Sequence, residues 1–156
     1  SDDKKQQTQL LDFIARDGDI EDDYITECFE AIENVKKRIM MNDFGFDLLF
    51  LEIDESGVES LEMAKYIREQ RVDVDIFFVG NTMKHVTEAF RYRVLNYLLK
   101  PLRFERFQYE IKQYLEERKK QKKEILSVSV YGKEKIFDRA LRLFAFCSYA
   151  GAERTS

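Results

Sequence analysis

Two carboxylates two residues apart, Glu52 and Asp54, end the run Phe46-Asp47-Leu48-Leu49-Phe50-Leu51-Glu52-Ile53-Asp54. Lys100 stands before the only proline of the chain, Pro101, and Asp2-Asp3 lie at the opposite end of the sequence. Acids and a lysine of this kind can pair as ions, exchange a proton, or surround a hard cation with oxygen. Other chemistries find less support. Ser56 and Ser60 have no histidine close by in sequence and no Gly-x-Ser-x-Gly elbow, which argues against a hydrolase. His85, the sole histidine, sits between Lys84 and Val86 and reads as a surface residue. Cys28 and Cys147 have no metal-ligand spacing, and Cys28 is expected in the core.

The elements that must position these groups follow from periodicity. An apolar run such as 46–54 is expected to be a strand buried on both faces, as in a parallel sheet, with its acids at the carboxyl end where open α/β sheets place their sites. Residues 24–31, 75–80 and 94–99 read as further strands. Helical spacing marks Leu10, Leu11 and Ile14, then Ile32, Val35 and Ile39, then Val58, Leu61, Ala64 and Ile67. Met83, Val86 and Phe90 predict another helix, and Phe104, Phe107, Ile111, Tyr114 and Leu115 the last long one. Strands alternating with helices imply a parallel sheet covered on both sides.

Composition sets the class. The 156 residues are 44% hydrophobic and 36% charged, a globular profile with room for one domain and an appendage. No apolar run reaches the roughly 20 residues of a membrane span, and a cytoplasmic, reduced protein is expected. A net charge of −4 argues against a chain devoted to nucleic acid, although Arg118-Lys119-Lys120-Gln121-Lys122-Lys123 forms a local basic run.

Taken together, these residues resemble the receiver domain of two-component response regulators, over about residues 1–118. The stretch 46–68 is similar to its third strand, phosphoacceptor and following helix. Residues 76–81 are similar to its fourth strand, and Leu95-Asn96-Tyr97-Leu98-Leu99-Lys100-Pro101 to its fifth. The wording is nearest to receivers joined to LytTR-type DNA-binding domains, as in AgrA- and LytR-like regulators. The resemblance implies a flavodoxin-like, doubly wound parallel sheet. It implies a histidine kinase that delivers a phosphoryl group to an Asp, and a magnesium ion held by acids at the site. A hydroxyl residue and a lysine then bind the phosphoryl oxygens, and an aromatic switch turns inward. The metal group would be Asp2, Asp3, Glu52 and Asp54. The phosphoryl-binding positions are Lys100 and Gly80, the switch is Tyr97, and a cis bond is expected before Pro101.

Two positions depart from the family. The acceptor is Glu52 rather than Asp, and its extra methylene carries the carboxylate outward by roughly 1.5 Å. A displacement of that order is enough to spoil a positioned reaction. The hydroxyl position is Gly80, which has no side chain. The reading is an atypical, phosphorylation-independent receiver that is not an enzyme and regulates transcription through a DNA-binding output domain. Glu52 is expected to pair with Lys100 or to end in solvent. A homodimer would use residues 83–93 and 97–107. Two alternatives stay open: a competent receiver phosphorylated on Glu52 or Asp54, and a small α/β enzyme using Glu52 and Lys100 as an acid–base pair.

Beyond the receiver, residues 119–124 are expected to be a basic linker at the helix end. Residues 125–156 read as the start or remnant of a LytTR-like output segment, with 125–133 as a strand and 138–156 as an unrelated tail. The family's first strand is missing ahead of residue 1. That strand lies inside the sheet, so its slot must be filled: by 125–130, or, the preferred expectation, by residues outside the given sequence.

Overall fold

The computed structural model describes residues 2–16, 27–132 and 143–147, with side chains over 9–16 and 27–121. The chain runs α1 (Asp2–Arg16), β1 (Cys28–Phe29), α2 (Ile32–Met40), β2 (Leu48–Ile53), α3 (Val58–Glu69), β3 (Asp75–Gly80), α4 (Val86–Arg91), β4 (Val94–Leu99), α5 (Phe104–Gly132), β5 (Leu143–Cys147). All five strands are parallel, in the order β1-β5-β2-β3-β4.

The sheet is built around β2, whose six residues are all buried. An apolar strand enclosed on both faces is stable only when helices cover both sides, and they do. On one side α1 and α5 meet through Phe13, which packs against Phe104 and Phe107, while Phe107 also meets Phe50. Tyr114, further along α5, stands edge-on to Phe77. On the other side α2, α3 and α4 form a row against one another. Ser60, Leu61, Met63, Ala64 and Ile67 supply the buried side of α3. Phe29, Phe44 and Phe46 form an aromatic cluster near the amino end of the sheet.

Three expectations need correction. Residues 125–132 do not form a strand; they continue α5, which is 29 residues long and carries the basic run in its course. The run Glu116 to Glu124 holds good helix formers and neither Gly nor Pro, so nothing in it stops the helix. The interior slot between β1 and β2 is filled by β5, from a stretch for which the sequence suggested no structural role. Cys28 is exposed rather than in the core, because β1 is only two residues long and its alternation turns Phe29 inward. Residues 24–26 of the expected first strand, residue 133 of the expected strand 125–133, and 138–142 and 148–156 of the tail lie outside the described residues.

Candidate functional site at the carboxyl end of the sheet

Glu52 and Lys100 come from the ends of β2 and β4, the two strands that flank β3. The Glu52 side chain is almost wholly enclosed, and its Oε2 lies 2.9 Å from Lys100 Nζ. The Lys100 side chain keeps about a quarter of its surface in solvent, so the lysine reaches in from the rim toward a buried acid. A buried carboxylate costs several kcal/mol unless it is paired, and this ion pair supplies the compensation. The position of the lysine is fixed by the backbone, because Lys100 N–H donates to the Gly80 carbonyl at 2.8 Å. The Lys100–Pro101 bond is cis, as the resemblance implied. Ser60, fully buried on α3, donates its hydroxyl to the Glu52 carbonyl and so ties the helix to the residue at the site.

Asp54 turns away from Glu52 into its own loop. Its Oδ1 accepts from the Ser56 hydroxyl at 2.9 Å and from Gly57 N–H at 2.8 Å. Gly57 starts α3 with φ +70°, and a Cβ there would stand 2.8 Å from the His85 ring. His85 keeps part of its surface in solvent, as expected, and is also a brace, with Nε2 2.8 Å from the Glu55 carbonyl oxygen. Lys84 reaches the Glu55 carboxylate at 3.1 Å, so two neighbouring residues pin the β3–α4 loop to the β2–α3 loop.

At Gly80 the space for a side chain is already taken. A Cβ would lie 2.7 Å from Ile53 Cγ2 and 2.8 Å from the Ile53 carbonyl oxygen. The missing hydroxyl is thus a matter of packing as well as sequence. Tyr97 points inward, 9% exposed, with its ring edge-on to Phe78 at 5.9 Å. Its phenol oxygen is buried and has no hydrogen-bond partner among the described residues. Burial, with the negative charge of Glu55 adding to it, raises the Tyr97 pKa above its ordinary value.

Of the four residues named as metal ligands, only Glu52 and Asp54 have described side chains, and these two turn to different partners. Glu52 is engaged with Lys100 and Asp54 with its loop, while the side chains of Asp2 and Asp3 lie outside the described residues. Among the described residues no group of three His, Cys, Asp or Glu side chains forms a cation site. Sequence reasoning missed Ser60 as a tie, His85 as a brace and Ile53 as the occupant of the hydroxyl space. None has a local signal, because each role depends on what a second loop or strand brings alongside.

A second polar cluster sits at the other end of the sheet. Arg118 on α5 reaches Asp47 Oδ1 at 3.2 Å and Asp75 Oδ2 at 3.3 Å, and Tyr114 donates its hydroxyl to Asp75 at 2.8 Å. Burial opposes the Arg118 charge, but Tyr114, Asp47 and Asp75 outweigh it and raise the pKa. Burial, reinforced by Asp75, pushes the Tyr114 phenol far up.

No family model matches the chain. Three curated relatives are similar to it over about half its length. They are the probable C4-dicarboxylate response regulator DctR of Halalkalibacterium halodurans, 41% identical over 80 residues, and the transcriptional regulatory protein MalR of Bacillus subtilis, 33% over 85 residues. The third is the sensory transduction protein LytT of B. subtilis, 34% over 83 residues. These matches cover 50–53% of this chain and 34–35% of the relatives, so the chain spans about a third of their length. Among solved structures, the response regulatory domain of mrkE from Klebsiella pneumoniae superposes with a TM-score of 0.62 at 24% identity. That superposition covers 78% of this chain and 94% of the other. The domain therefore has the receiver fold, and its sequence is related to response regulators.

Proposed function

We propose that the chain carries the receiver domain of a two-component response regulator that holds its signalling conformation without phosphorylation of Glu52. The observation that carries this reading is the 2.9 Å pair between the enclosed Glu52 carboxylate and Lys100. In a receiver the lysine's task is to bind a newly arrived negative charge. Here the longer side chain of Glu52 puts that charge against it permanently. Gly80 has no hydroxyl to offer, and Tyr97 is already inward. The domain would have no turnover and no need for magnesium. Its output would pass through the surface of α4, β4 and the start of α5, where Phe90, Leu95, Leu99 and Tyr109 are exposed. A second copy is the partner proposed for that face. A histidine kinase upstream, and DNA reached through an output domain, follow from the relatedness to response regulators.

Incubation with acetyl phosphate and magnesium, followed by intact mass, tests the reading. The expected result is an unchanged mass. A labile gain of one phosphoryl group would overturn it in favour of a competent receiver.

A further inference from the structure

The loop that leads from Gly80 to α4 has no side chain at its start and is held at its far end. His85, the last residue before α4, is seated on the β2–α3 loop. Its Nε2 lies 2.8 Å from the Glu55 carbonyl oxygen, and since a carbonyl only accepts, that nitrogen carries the proton. The ring lies on the bare face of Gly57, where a Cβ would stand 2.8 Å from it. Gly57 is held there by Asp54, whose carboxylate takes the Gly57 N–H, with a φ of +70° that suits glycine. The His85 carbonyl then accepts from Ala89 N–H at 3.0 Å, so the first turn of α4 hangs from the same residue. Lys84 adds an ion pair with the Glu55 carboxylate, but both side chains are more than half exposed, and such pairs hold little.

Tyr97 feels this contact. The negative charge of Glu55 acts on its phenol, which places the tip of the ring near the same loop. A buried hydroxyl with no partner among the described residues is worse off than one in water, so the inward ring is held by what packs around it. The helix α4 packs on β4, the strand that carries Tyr97. A contact that sets the start of α4 therefore bears on which way Tyr97 turns. We propose that His85 is the positioning residue of the switch: seated on Glu55 and Gly57, it fixes the start of α4 and keeps Tyr97 inward with no phosphoryl group bound. The inference rests on the receiver reading, in which Tyr97 is the switch and α4 part of the output face, and it names the residue that holds both. Without His85 the loop comes away from Gly57, and Tyr97 gains access to water. The neighbouring Lys84 is dispensable for this role.

Fluorine NMR and hydrogen exchange on the intact chain test this, with no phosphoryl donor present. The chain is labelled with 3-fluorotyrosine, and the Tyr97 line is identified by its absence from Tyr97→Phe. In the unaltered chain that line should not shift between light and heavy water, as for a ring out of contact with solvent. In His85→Ala the line should shift with the solvent, and peptides spanning 81–91 should exchange at least about tenfold faster. Peptides spanning 48–53 should keep the rate of the unaltered chain. His85→Gln retains an N–H donor of similar reach and should behave as the unaltered chain does, and so should Lys84→Ala. A Tyr97 line in His85→Ala that ignores the solvent would overturn the proposal. So would Lys84→Ala acting as His85→Ala does, or His85→Gln failing to rescue. Equal acceleration in 48–53 would overturn it too, since the loss would then be global. If His85→Ala does not fold, Gly57→Ala displaces the ring while leaving His85 in place, and the same two readouts decide. A phosphoryl group gained from acetyl phosphate would overturn the receiver reading and leave these results on His85 standing, so the two fail separately.

Discussion

Substituting Lys100 by Met removes the cation that lies 2.9 Å from the enclosed Glu52 carboxylate. Breaking a buried pair from one side costs about 3–5 kcal/mol, and the partial exposure of Lys100 puts the expectation near the lower figure. Glu52→Gln should cost only about 1 kcal/mol, since the lysine can turn to water, and the double variant should recover most of the loss of K100M. Urea unfolding of the four proteins gives the comparison, and equal losses for both single variants would refute the asymmetry. At Gly80 the expectation is also specific. Gly80→Ser restores the family's hydroxyl on paper but drives Cβ into Ile53, so it should destabilise by about 1–3 kcal/mol. A Gly80→Ser protein as stable as the parent would show that Ile53 yields easily. The departures at 52 and 80 were plain in the sequence. The reasons they are tolerated were not, because Lys100 and Ile53 come from strands distant in the chain.

At the scale of elements, β2, β3 and β4 were legible almost to the residue. Each is an apolar run between polar loops; β2 and β3 are buried on both faces, which leaves little freedom in their wording, while the edge strand β4 exposes Leu95 and Leu99. The α5 boundary was not legible, since residues 125–130 alternate in a pattern that suits a strand as well as a helix. Nor was β5, whose five residues look like any short apolar run until the vacancy inside the sheet is known. The anchoring of α5 by Tyr114 and Arg118 gives a prediction at this scale. The Tyr114 phenol has a folded pKa raised above its unfolded value, so the stability it carries is complete below about pH 10 and declines as pH rises toward the folded pKa. The unfolded chain then binds fewer protons than the folded one, which makes the slope of stability with pH negative. Above pH 10 the loss should approach about 1.4 kcal/mol per pH unit for this group, and Tyr114→Phe should be less steep by that amount. Thermal or urea unfolding between pH 9 and pH 11 reads both slopes, and parallel curves would refute the assignment.

For the molecule as a whole, the two polar clusters stand at opposite ends of the same buried strands. Glu52 with Lys100 closes the carboxyl end, and Asp47 with Arg118 closes the amino end. Between them lies a closely packed apolar core that includes Phe50, Phe77 and Phe107. The helix α5 is tied to this body at Arg118 and runs on to Gly132. Fourteen further residues at 1.5 Å each make a rod of about 21 Å with its fulcrum at the Asp47–Arg118–Asp75 cluster. A tilt of about 10° at the fulcrum, small enough to leave the core packing intact, moves the far end of the rod by about 4 Å. A small rocking of the helix against two aspartates is thus amplified along its length into a displacement of the size of a side chain.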